Sequence, residues 1–232
     1  MLLPSANDAA NVLAEHVSGS IEAFAELMNE KAMEIGCENS HFTNPSGVHD
    51  EAHYTTAYDL SLIARYAMQF EAFRNIITTT EYTLPSTSIY PKSDRTFHIS
   101  NELIRPESDY YYQYANGIKT GYTDPAKDCL VASSSNGEVE FIIVVLGGNA
   151  PEYGLRTKYT DCETLFNFAF ANYTSHYKEL QQKNEVNMAN VVENFIQDIS
   201  TPNYDLLRFL SKVVAVIIIL LAAFILFRRK KG

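Results

Sequence analysis

Cysteine is scarce in this chain and never paired in spacing. Cys37, Cys129 and Cys162 are odd in number and far apart, so neither a C-x-x-C metal site nor a disulfide framework is written here. All three are expected to be small buried apolar residues. Basic charge is equally scarce outside the end of the chain. The formal charge is −10, and −14 once the terminal cluster Arg228, Arg229, Lys230 and Lys231 is set aside. Such a surface repels nucleic acid, which is excluded as a partner. The first residues, "MLLPSANDAA", contain neither a basic n-region nor an apolar h-region, so they do not read as an export signal. Nor is there an internal repeat. No metal or organic cofactor is indicated.

What is present suffices for a core, since 46% of the residues are hydrophobic. The C-terminal segment "KVVAVIIILLAAFILFRRKK" has an uncharged run from Val213 to Phe227. As a helix it covers roughly 22 Å, against a hydrocarbon layer of about 30 Å. Leu206, Leu207, Phe209 and Leu210 lengthen the apolar stretch and Lys212 and Arg228 can snorkel, so residues 206–227 are expected to form one transmembrane helix. The cations at 228–232 would stay cytoplasmic and the body would lie outside the membrane.

Helices are expected first and strands later. Ser5 with Asp8 has the form of a capping box opening a helix through Val17. Ser20 caps a second helix, on which Phe24, Leu27, Met28 and Ile35 recur at helical spacing until Gly36 stops it. Thr56 with Asp59 opens a third that buries Leu60, Ile63, Ala64 and Ala67. Residues 81–112 mix short strand signals with Pro and Ser and are left unassigned. A hairpin follows, with a strand near Asp128–Ser134, the turn Asn136-Gly137 and the run "EVEFIIVVLGG". The helix "TDCETLFNFAFANY" closes the body, and the polar residues 174–205 read as a stalk.

One triplet stands apart. Lys119-Thr120-Gly121 has no packing reason to sit together at the end of a strand, and a chain of this composition would contain K-T-G by chance only about 0.03 times. S-x-N occurs twice, as Ser5-Ala6-Asn7 and Ser134-Ser135-Asn136, and the second is the hairpin turn. The first stands at the mouth of a helix ahead of K-T-G, although an ordinary helix N-cap is an alternative account of Ser5.

S-x-N followed by K-T-G resembles the penicillin-recognising serine acyl-transferases. The blocks "LLPSANDAANVLAEHVSGS", "HFTNPSGVHDEAHYTTAYDLSLIARYAM" and "NGIKTGYTDPAKDCLVAS" are more narrowly similar to the serine-type D-alanyl-D-alanine carboxypeptidases of the bacterial cell wall. The resemblance implies an α+β fold, with an antiparallel sheet flanked by helices and a helical lobe that brings S-x-N across a cleft. Residues 1–173 would form part of that catalytic domain. The reaction implied is removal of the terminal D-alanine from peptidoglycan pentapeptide stems through a serine acyl-enzyme, with β-lactams as inhibitors. Lys119 would hold positive charge near the peptide carboxylate, Thr120 would bind that carboxylate, and Gly121 would leave room for an extended peptide. Ser5 would relay a proton to the leaving D-alanine and Asn7 would hold the substrate amide. Arg156 is a candidate second carboxylate contact, or a plain surface arginine.

The pattern departs from the family in one respect. The nucleophilic S-x-x-K belongs several tens of residues before S-x-N, and only four residues precede Ser5. The formal match Ser175–Lys178 falls after K-T-G, in the wrong order, and Ser46 in "NPSG" reads as a turn residue. The expectation is therefore that Met1 is internal to a longer, exported enzyme. The alternative is a non-catalytic, membrane-anchored protein that keeps the peptide-binding wall, and a β-lactamase is a weaker third reading.

Overall fold

The computed structural model describes residues 1–148 and 156–182. The chain divides into two units, Met1–Asn172 and Tyr173–Gly232. The expected transmembrane segment lies outside the described residues, and among those described no helix is long and apolar enough to cross a membrane.

Four helices come first: α1 (Asn7–Ser18), α2 (Ile21–Ile35), α3 (Ala57–Ala67) and α4 (Glu71–Ile77). Their ends follow from local chemistry. Ser20 accepts a hydrogen bond from the Ala23 amide at 3.0 Å and so caps α2, while Gly19 and Gly36 close α1 and α2 in the left-handed region. At α1 the expected cap is wrong. The N-cap is Ala6, with no side-chain bond, and the Ser5 hydroxyl is engaged elsewhere. At α3 only half of the expected box forms. Thr56 accepts from the Asp59 amide at 3.1 Å, but the buried Asp59 carboxylate turns away and accepts from Ser40 Oγ at 2.7 Å and the Asn39 amide at 2.8 Å. It thereby ties the preceding loop to the helix. The buried side of α3 is accordingly Asp59, Leu62 and Ala64, whereas Leu60 and Ile63 are half-buried.

The unassigned stretch contains a small exposed ladder, β1 (Glu81–Thr83) against β2 (Thr96–His98), and a 3-10 turn at Glu102–Ile104. The main sheet is β3 (Ala115–Thr123), β4 (Lys127–Ser135) and β5 (Glu140–Gly148), antiparallel in that order. The Asn136-Gly137 hairpin is where the sequence places it. Lys119, Thr120 and Gly121 lie within β3 rather than at its end, opposite Val131, Leu130 and Cys129 of β4. Helix α5 (Thr157–Gln182) extends beyond the Tyr173 end expected for it.

The sheet is covered on both faces. Tyr159, Cys162 and Phe166 of α5 pack with Leu103, Tyr112, Leu130 and Ala132. Ala64 and Met68, with Ile77 of α4, pack against Ile118, Val131 and Ile142. Each large apolar side chain so buried contributes about 1.5–3 kcal/mol. Where α4 meets β3 the chain needs glycine. Gly117 has φ +140, and a Cβ there would stand 2.6 Å from Ile77 Cδ1. Beside it Asn116 accepts from Ser133 Oγ and donates to Glu140, at the point where the β3–β4 register shifts. This close seating fixes the path of β3 two residues before Lys119.

Candidate active site

A cleft of about 750 Å³ opens between β3, the start of α1 and the loop at residues 42–55. Ser5, Ala6 and Asn7 line it on one side and Lys119, Thr120 and Gly121 on another. The two motifs, more than a hundred residues apart in sequence, thus share one cavity. Lys119 Nζ donates to Ser5 Oγ at 2.9 Å and to the Thr120 carbonyl at 2.9 Å. Ser5 holds a φ of +57, an uncommon backbone state for a residue with a Cβ, and its hydroxyl takes the lysine bond instead of a helix amide.

The charge around Lys119 defines what the cleft can do. All of its bonded partners are neutral oxygens, and the described residues lining the cleft include no Asp or Glu, in a chain whose net charge is −10. Burial pushes its ammonium below the usual lysine range, and the charge of Lys158 adds to the effect. Lys158 itself is buried and matched by Asp128 at 2.8 Å. One lysine is therefore neutralised and its neighbour is not. Among the described residues this leaves a half-buried cation with neutral partners in a cavity lined by no carboxylate, an arrangement that can receive an anion.

Several residues the motifs did not reveal also stand here. Ser100 Oγ accepts from Lys119 at 3.4 Å and shares a hydrogen bond with Thr120 Oγ1 at 2.7 Å. It comes from the unassigned stretch, and no sequence signal marks it. The opposite wall is the loop that holds Ser46 and His53. Asn29 of α2 clamps that loop by bonding both backbone groups of Phe42, at 2.8 and 2.7 Å. The Asn44 side chain accepts from the Ser46 hydroxyl and the Gly47 amide, so Ser46 sits in a tight turn. His53 Nδ1 accepts from the Thr43 amide at 3.2 Å, which leaves the proton of the neutral ring on Nε2. Burial lowers its pKa. Its loop is one of the blocks that carry the resemblance, which is the signal that could have found it.

Arg156 is not among the residues that line the cleft. Its guanidinium is paired with Glu102 and its amide donates to the Tyr110 hydroxyl. Cys129 also departs from expectation. Cys37 and Cys162 are buried, and burial pushes the Cys162 thiol up to about 12, but Cys129 is half-exposed in the cleft.

Comparison with known proteins accords with this geometry. The sequence matches the D-alanyl-D-alanine carboxypeptidase family, peptidase S11, over residues 1–150. The chain belongs to that family. It is 34% identical over 199 residues to D-alanyl-D-alanine carboxypeptidase DacF of Bacillus subtilis, which covers 84% of this chain and 48% of the relative. To DacB2 of Mycobacterium tuberculosis it is 32% identical over 175 residues, 74% of this chain and 56% of the relative. The chain thus spans about half the length of these curated relatives. Among solved structures it resembles the Streptomyces K15 DD-transpeptidase, with a TM-score of 0.66 and 30% identity over 73% of this chain and 64% of that one. The α+β fold expected from the sequence is that of the DD-peptidases.

Proposed function

We propose that this S11 chain carries the substrate-holding side of a cell-wall D-alanyl-D-alanine carboxypeptidase. The observation that supports the reading most directly is Lys119, a cation bonded only to neutral groups in a cleft that no Asp or Glu lines among the described residues. A peptide ending in D-Ala-D-Ala presents the missing anion. Its terminal carboxylate would lie against Lys119 and the Thr120 hydroxyl, and its backbone would run along the outer edge of β3, where Gly121 presents no side chain. Asn7 would hold the amide of the penultimate residue.

Ser5 then has a defined task. Because Lys119 donates to Ser5 Oγ, the serine's own proton is free to point into the cleft. In the acylation step a nucleophilic serine would pass its own proton to the lysine of its S-x-x-K segment and form a bond to the carbonyl carbon of the scissile amide, and the C–N bond breaks. The departing D-alanine nitrogen takes the Ser5 proton, and Lys119 replaces it. The nucleophile is assigned by family to an S-x-x-K serine, for which residues 1–232 contain no match ahead of S-x-N. These residues are therefore expected to bind the peptide but to form no covalent adduct with a labelled penicillin, whereas a polypeptide that also carries an upstream S-x-x-K segment labels. An adduct on Ser5, Ser46 or Ser175, located by mass spectrometry, would overturn this division.

The membrane assignment belongs to the same proposal. Residues 206–227 would anchor the protein as a single helix, with the body outside the membrane and the 228–232 cations inside. Protease treatment of intact cells tests it, and a body that resists digestion would count against it.

A further inference from the structure

We infer that Ser100 is a positioning residue that locks the Thr120 hydroxyl as a donor toward the cleft and thereby sets selectivity for a free carboxylate over an amide. The inference rests on the carboxypeptidase reading of the cleft and deepens it.

The backbone at Ser100 is held independently of its side chain. Ile99 before it is 2% exposed, and Asn101 after it is fully buried, its Oδ1 accepting from the Leu103 amide. The Ser100 carbonyl itself accepts from the hydroxyl of buried Tyr159 at 3.2 Å. The hydroxyl thus stands in a fixed place between two members of the K-T-G triplet.

Proton counting then gives a direction. A serine hydroxyl has one hydrogen and two lone pairs, while a lysine ammonium only donates. Lys119 Nζ at 3.4 Å therefore occupies a lone pair of Ser100, and the 2.7 Å contact with Thr120 Oγ1 can run either way. If Thr120 donated, Ser100 would accept from both sides, and the Thr120 proton would be turned away from the cleft. If Ser100 donates, the dipoles run head to tail from the cation: Lys119 to Ser100, Ser100 to Thr120, and Thr120 outward. A positive charge at one end and an anionic ligand at the other favour this second order, and each bond polarises the next.

The consequence is a site in which two donors are directed at the ligand, Lys119 and the Thr120 hydroxyl. A carboxylate offers two acceptors and satisfies both. A carboxamide offers one acceptor oxygen and an NH2 group that only donates, so its N–H would meet the hydrogen of Thr120. Without the Ser100 hydroxyl the Thr120 rotor can turn and accept that N–H, and discrimination falls.

The test uses two probes, diacetyl-L-Lys-D-Ala-D-Ala as the free acid and as its C-terminal carboxamide, with dissociation constants measured on residues 1–232. The parent chain should prefer the acid. Ser100→Ala should reduce the acid-to-amide preference about ten-fold, the worth of one hydrogen bond to a charged group, with the thermal midpoint little changed. Ser100→Thr should restore the preference. In a Thr120→Val background, Ser100→Ala should alter the preference no further, a criterion that loss of folding cannot imitate. An unchanged preference in Ser100→Ala, in a chain that does favour the acid, overturns the role of Ser100 alone. A parent chain that does not favour the acid overturns both this inference and the carboxypeptidase reading.

Discussion

On the proposed reading, Lys119 serves binding at the expense of the fold. Burial and the nearby Lys158 charge place its folded pKa below the ordinary lysine value. The sign follows from linkage: the fold carries a penalty at every pH below that lowered value, and the penalty is relieved as pH rises through it. Lys119→Ala is therefore expected to lose acid-peptide binding by orders of magnitude while its thermal midpoint stays level or rises, as calorimetry would show. In the parent chain peptide affinity should fall along an alkaline limb that begins below the usual lysine range. The two glycines nearest the site part company in the same way. Gly117→Ala must place a Cβ 2.6 Å from Ile77 Cδ1 at a positive φ, and should cost about 3 kcal/mol of stability by denaturant titration. At Gly121 a Cβ would meet only Cys129 Cβ at 3.8 Å. Gly121→Ala should hold stability within about 0.5 kcal/mol and weaken only the peptide. Both halves of the candidate site were legible in the sequence because they are motifs. Ser100 was not, because a lone serine in an irregular stretch acquires meaning only from Lys119 and Thr120 beside it.

Among the elements, those with strong local signals were readable. The β4–β5 hairpin announces itself by Asn136-Gly137, and α2 by Ser20 and Gly36 at its ends. Helix α4 has seven residues and no side-chain cap, and β1 and β2 have three residues each with mostly exposed side chains, so no periodicity marks them. Tertiary contacts hold α4 in place instead. Arg74 forms a two-pronged pair with Glu140 of β5, both bonds 2.8 Å, and donates through Nε to the Met68 carbonyl at the end of α3. The arginine side chain is 42% exposed, so solvent screens the pair. Arg74→Ala should cost about 1 kcal/mol, a few degrees in Tm. Hydrogen bonding from Arg74 holds the Glu140 carboxyl below the usual carboxylate range. Its stabilisation is complete above that range and lost as pH falls through the lowered pKa. In Arg74→Ala the acid unfolding limb should therefore begin at higher pH.

At the scale of the whole molecule, a local cation is set within a body of opposite sign. The net charge of −10 repels an anionic peptide from a distance, whereas the charge of Lys119 attracts it at close range. Screening acts on the distant part first. The Debye length falls from about 30 Å at 0.01 M salt to about 8 Å at 0.15 M. The association rate of the acid peptide should therefore rise with salt, a few-fold over that range by stopped flow, the reverse of ordinary electrostatic steering. A falling rate would show that Lys119 dominates the approach as well as the bound state. Overall composition made the repulsion visible from the start. The attraction was visible only as a motif, because the lack of Asp and Glu among the described residues of the cleft is a property of folding and not of order along the chain.

Strand β3 is the outermost strand of its sheet among the described residues, paired with β4 alone. Its outer row of amides and carbonyls offers to a peptide the same ladder that it would offer to another copy of itself. Substrate and self-association are then competitors for one set of hydrogen bonds. Concentrated protein should dimerise edge to edge and lose peptide-binding capacity as it does so, and light scattering should show the acid peptide returning it to the monomer. On this account the ligand acts as its own chaperone, guarding the strand that recognises it.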